Sequence, residues 1–174
     1  TVDVEGHDQV YDPRTGLRGF TRNPALCLSE FIENTEYGLG LSLTGAAPEI
    51  DIAALTAAAN VCDENVALAA GGTEDRYAVN GSFSTSESPQ DIIGGLLSAM
   101  GASGAAAVYV GGKWLLHAAA YRTPTITLTE SDLRAGYSMT SLLSARELGN
   151  GVKGLYVSAD NDWQPSDFPP VTNA

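Results

Sequence analysis

The chain has 174 residues, 44% of them apolar, and a formal net charge of −12 from 9 Lys and Arg against 21 Asp and Glu. That composition is enough for one packed domain, or one and a part, and argues against a disordered chain. So acidic a surface, with no basic cluster to offset it, repels phosphate backbones and argues against direct nucleic-acid binding.

Residues 1–22 are polar, with strand-like pieces at Val2–Val4 and Gln9–Tyr11. Asn23-Pro24 then opens a helix, because Asn caps well and Pro suits the first helical position. Ala25, Leu28 and Ile32 share one face of it, with Cys27 and Phe31 beside them, up to Gly38. After a loop, Asp51 caps a second helix whose stripe is Ile52, Leu55, Ala59 and Cys62. "AAGGTED" is read as loop. In "RYAVNGSFST" the period becomes two; Asn80-Gly81 is a hairpin signal, but unbroken alternation favours one strand over residues 77–85. Ser88-Pro89-Gln90-Asp91 starts a third helix, expected to bury Ile92, Ile93, Leu96, Leu97 and Met100. "AAVYVGGKWLLHA" is a hairpin turning at Gly111-Gly112. "TPTITLT" is a strand, and Thr129 with Asp132 forms a capping box. "YSMTSLLSAREL", the turn "GNG" and "VKGLYVSA" read as further strands. Helices and strands in this order define an α+β fold: two N-terminal helices, a strand-helix-hairpin-strand module, then more strands.

No run reaches the roughly 18 apolar residues of a membrane span, and no basic-then-apolar leader is present. The missing initiator Met and the Pro-rich ending "DFPPVTNA" are expected of a segment of a longer chain. Cys27 and Cys62, the only cysteines, are too few for a disulfide scaffold and fit synthesis in a reducing compartment. Both sit on apolar helical patterns and read as buried free thiols, with a helix-to-helix disulfide as the lesser alternative. Of the two histidines, His117 lies in an apolar strand and His7 in a polar loop, neither with a sequence neighbour that makes a metal or nucleophile-base pair.

Glu30 with Glu33, and Asp63 with Glu64, are carboxylate pairs, but a chain with 21 acidic residues offers many accidental ones. "ADNDWQPSD" fails as a calcium loop: Asp160 and Asp162 match, but Gln164, Pro165 and Val171 stand where an oxygen donor, Gly and Glu are needed. "VGGK" lacks the hydroxyl and upstream Gly of a phosphate loop. In "VYDPRTG", Asp12-Pro13 initiates a turn, and Arg14 is placed to pair with Asp12 or with an acid on a helix. No metal or cofactor is expected.

Taken in order, "VYDPRTG", "NPALCLSEFIENTEYGLGL", "IDIAALTAAANVCDE", "RYAVNGSFSTSESPQDIIGGLLSAMGA", "GGKWLLHAAAYRTPTITLTESDL" and "RELGNGVKGLYVSADNDWQPSDFPPV" resemble the tail tip proteins of long-tailed phages and prophages, the lambda-type host-specificity protein J family. The resemblance runs over about residues 8–172. It implies a structural, non-enzymatic component of a tail tip: a baseplate-like hub region that works as a homotrimer in the virion after synthesis in the host cytoplasm. Other tail tip, tube and tape-measure proteins would be its partners, with any host receptor engaged through other regions.

On that reading residues 1–22 link from a preceding β domain, 23–136 form an α+β hub domain, and 137–174 begin a following β domain. Trp114, Trp163, Tyr121, Tyr137 and Phe168 are the candidate interface residues, since aromatics are enriched at interfaces. Two other readings compete: a carboxylate-based cell-wall hydrolase carried by a tail tip, and a receptor-binding adhesin.

Overall fold

The computed structural model describes residues 6–68, 71–136, 138, 149–158, 161–162 and 164–172. Among the described residues the architecture is mixed α+β, with three α-helices and two-stranded antiparallel pairs. The chain forms two compact units, Thr1–Thr123 and Pro124–Ala174. None of the described helices is long and apolar enough to cross a membrane.

The first unit begins with β1 (Val10–Asp12) and β2 (Leu17–Gly19), paired antiparallel. Asp12 makes the turn between them. Its carbonyl accepts from the amides of Thr15 and Gly16 at 3.2 and 2.8 Å, and its carboxylate accepts from the Arg14 amide at 2.9 Å.

Helix α1 spans Pro24–Glu33. The Asn23 Oδ1 accepts from the amides of Ala25 and Leu26, as an N-cap should. The helix stops at Asn34, short of Gly38, because the loop takes over its last carbonyls: Leu39 and Leu41 donate to Phe31 and Ile32. Gly38 lies so close to that turn that a Cβ there would stand 1.7 Å from the Phe31 oxygen.

Helix α2 (Ile52–Cys62) is capped by the Asp51 carboxylate, which accepts from the Ala54 amide. It packs against α1 through Leu55, Ala58, Ala59 and Cys62, all buried. Ile52, expected in that stripe, is 40% exposed in the first turn of the helix.

Two expectations fail around α2. The segment read as loop forms a hairpin, β3 (Asn65–Ala67) with β4 (Thr73–Asp75), because Gly71 and Gly72 adopt positive φ and close the turn. The strand expected over 77–85 does not form. Its alternation serves side chains that plug helix surfaces: the Tyr77 hydroxyl donates to the Ala119 carbonyl, and Phe83 packs edge-on against Phe31.

Helix α3 (Pro89–Ala99) starts at Ser88, whose Oγ accepts from the Asp91 amide. Ile92 and the C-capping Met100 are buried, while Ile93, Leu96 and Leu97 are half-buried. Strands β5 (Ala106–Val110) and β6 (Lys113–His117) form the expected hairpin about Gly111-Gly112, both at positive φ. The outer edge of β6 meets the chain before α2: Trp114 donates to the Glu49 carbonyl at 2.7 Å and accepts from the Asp51 amide at 2.9 Å. Leu26, Leu28, Ile50, Leu55, Met100 and Leu116 are among its most fully buried side chains.

The stretch "TPTITLT", expected as a strand, is exposed and belongs to no strand pair among the described residues. The capping box does form, on one 3-10 turn, Glu130–Asp132. In the second unit, β7 (Gly151–Val152) pairs with β10 (Val171–Thr172), and β8 (Leu155–Ser158) with β9 (Gln164–Asp167). The expected strand Val2–Val4, and nearly all of "YSMTSLLSAREL", lie outside the described residues.

Candidate functional site

Of the five aromatic side chains proposed for an interface, Trp114, Tyr121 and Phe168 lie among the described residues. Trp114 is half-buried in β6 and packs against Tyr109 across the hairpin, ring centroids 5.6 Å apart. Tyr121 is 88% exposed. Phe168 is half-buried and lies over Gly154, where a Cβ would meet its ring at 2.8 Å. Tyr137 and Trp163 lie outside the described residues. Of the three described, Tyr121 alone presents most of its surface to solvent.

"VYDPRTG" is an ion-pair clamp. Arg14 grips the Asp12 carboxylate with Nε and NH2, at 2.9 and 2.8 Å, and reaches Asp63 at the end of α2 with NH1, at 2.7 Å. The same NH1 donates to the Asn60 side-chain carbonyl. Asn23 closes the network, its amide donating to Asp63 Oδ1 at 2.8 Å and to the Ala59 carbonyl at 2.9 Å. The guanidinium holds Asp12 below the usual carboxylate range, chiefly through that hydrogen bond, and is itself driven further toward the charged form. Every part of Arg14's fork is spent on protein partners, so this cluster holds a hairpin to a helix.

A surface groove of about 570 Å³ has Phe20, Phe83, Ile92 and Leu96 among its apolar walls and Glu30 at its side. Glu30 Oε1 accepts from the Tyr37 hydroxyl at 2.5 Å and the Asn34 amide at 3.0 Å, with His7 Nε2 at 3.3 Å. Burial and then the Glu30 bond push the Tyr37 hydroxyl well above its ordinary range, so it remains a donor. The i, i+4, i+7 spacing of Glu30, Asn34 and Tyr37 was visible in the sequence. His7 was not, because its approach depends on the N-terminal segment folding over α1.

The cysteines are free thiols, Cys27 half-buried and Cys62 buried, and both are pushed up to about 11, chiefly by desolvation. A thiol so shifted is a poor nucleophile. Burial, with Arg122 adding to it, lowers the His117 pKa and favours the neutral ring. Among the described residues no group of three His, Cys, Asp or Glu side chains is arranged to hold a metal ion. No protein-family model matches the chain.

Proposed function

We propose that the chain is a structural component of a phage-type tail tip, a hub-like region that works by assembling with other protein subunits and not by catalysis. The observation that carries the reading is apolar surface left in solvent: Val108, Tyr109 and Val110 on β5, with Tyr121, Ile126 and Leu128 after the hairpin. Exposed apolar surface of this kind marks sites of protein association. The ordered motifs from "VYDPRTG" to "DWQPSDFPPV" resemble those of the family, and the α+β architecture is compatible with it. The clamp around Arg14 is compatible too, since a hub needs rigid joints. Light scattering over a range of concentrations tests the reading: a mass of three chains supports it, and a single-chain mass at every concentration overturns it.

One observation favours a second reading, a carboxylate-dependent cell-wall hydrolase: Glu30, Glu87 and Asp91 line the same groove. Against it, Glu30 Oε1 is already taken up by Tyr37 and Asn34. A turbidity assay on purified peptidoglycan decides, and loss of turbidity that disappears in Glu30→Gln would establish the hydrolase.

A further inference from the structure

We propose that the outer edge of β5 in one copy of this chain is covered by the extended segment around Ile126 and Leu128 of a second copy. The inference rests on the assembly reading above and names the surfaces used. It starts from β5. One edge of the β5–β6 hairpin is closed, because Glu49 and Asp51 bond to Trp114 of β6. The other is open: among the described residues the backbone of β5 bonds only to β6.

Natural sheets protect such edges with charge, Pro or a covering element. Here the protection is missing. From Ile92 to Gly112 there is no charged side chain, in a chain of net charge −12. Val108, Tyr109 and Val110 are 41, 61 and 57% exposed. An edge that is apolar, uncharged and open is a template for another strand.

The same chain displays a strand without a template. Residues 123–129, "TPTITLT", are uncharged and flanked by Arg122 and Glu130. They alternate as a strand should, with Ile126 and Leu128 on one face at 75 and 76% exposure and Thr on the other. The backbone of residues 121–128 forms no hydrogen bond among the described residues. β-branched Thr and Ile favour the extended conformation that pairing needs, which lowers the ordering cost.

The two fit by side as well as by charge. Val108 and Val110 lie on the exposed face of the hairpin, with Leu115 opposite Val108. A strand added at the β5 edge with Ile126 and Leu128 on that face extends the apolar surface. Thr125 and Thr127 then fall beside Tyr109 and Ala107. Copies this acidic repel one another, and these two stretches bring no charge of their own to the contact. Because each copy would use two different surfaces, the contact is head-to-tail and closes into a ring when the rotation allows.

The test mixes two variants of the full chain, one carrying Tyr109→Cys and the other Thr125→Cys or Thr127→Cys, under mild oxidation. Neither chain can make the bond alone, so a disulfide-linked pair containing one of each, absent when either is mixed with the parent chain, reports the contact. In parallel, Thr127→Pro removes an amide that has no bond among the described residues, so folding is expected to be unaffected. It is expected to reduce the light-scattering mass to that of one chain with an unchanged circular dichroism spectrum. An oligomer that survives Thr127→Pro and yields no linked pair overturns this inference while leaving the assembly reading standing. A single-chain mass for the parent at every concentration overturns both.

Discussion

Arg14 NH1 stands 2.7 Å from the Asp63 carboxylate, joining the first turn of the chain to the end of a helix nearly fifty residues on. The pair is partly buried, and Arg14 simultaneously satisfies Asp12 and Asn60. Arg14→Ala is therefore expected to destabilise the first unit by about 2 kcal/mol, the range of lost charge-assisted hydrogen bonds. Arg14→Lys should recover less than half of that, since an ammonium cannot reproduce the fork. Urea denaturation followed by circular dichroism measures both; equal stability of Arg14→Ala and the parent would show that the clamp contributes nothing.

Asn23 does two jobs, capping α1 with its oxygen and bridging to Asp63 and the Ala59 carbonyl with its nitrogen. Asn23→Ala should cost about 2 to 3 kcal/mol, a cap plus a buried carbonyl and a half-buried carboxylate left short. Asn23→Asp separates the jobs: it keeps the cap but sets a carboxylate against Asp63. It should therefore remain clearly destabilising at pH 7 and regain stability in mild acid, readable as a thermal midpoint that rises as the pH is lowered from 7 to 5.

The pH dependence of the parent chain follows from the groups whose pKa values shift. Asp12 is held below its ordinary value, so the stability it contributes is present above about 4 and is lost as pH falls through its folded value. Arg14→Ala should flatten that acid limb. At the other end, Cys27 and Cys62 rise from 9.0 to about 11, so the stability tied to keeping them protonated is full below pH 9 and fades toward pH 11. Cys62→Ala should shrink the alkaline loss, as measured by thermal melts from pH 8 to 11.

Thiol labelling gives an independent check. At pH 7.5 both cysteines should react with a disulfide reagent many times more slowly than a free thiol, because the thiolate fraction falls about tenfold for each unit of pKa. Cys27, half-buried, should react before the buried Cys62. Reaction of both at the rate of glutathione would contradict the burial.

Gly38→Ala should be among the most damaging small substitutions in the chain. Its Cβ would fall 1.7 Å from the Phe31 oxygen, and backbone cannot step aside as a side chain can. Gly81→Ala, where nothing lies within 4 Å, is the matched control and should fold normally. Soluble yield and thermal midpoint distinguish them.

The helices were readable because their starts are chemical. Asn23-Pro24, Asp51 and Ser88-Pro89 each cap the helix they announce. The Gly111-Gly112 turn was readable for the same local reason. The segment 77–85 was misread because Tyr77 and Phe83 alternate like strand residues yet each answers to a distant partner, Ala119 and Phe31. The β3–β4 hairpin was missed because its strands, Asn65–Ala67 and Thr73–Asp75, are short and half polar. Of the candidate sites, the role of Arg14 in a turn was foreseeable from Asp12-Pro13, whereas its bond to Asp63 depends on how α2 packs.

The β5–β6 hairpin is sewn down at two places: Trp114 exchanges two backbone bonds with Glu49 and Asp51, and the Ala119 amide donates to the carbonyl of Met100 at 2.9 Å. Asp51 begins α2 and Met100 ends α3, so the hairpin cannot lift away without loosening one end of each helix. In hydrogen exchange the Trp114, Asp51 and Ala119 amides should accordingly open as one cooperative unit, with protection close to that of global unfolding. β5, with its outer edge open to other molecules, would then belong to the least yielding part of the first unit, a fixed rail against which a neighbour could be pulled without the fold giving way.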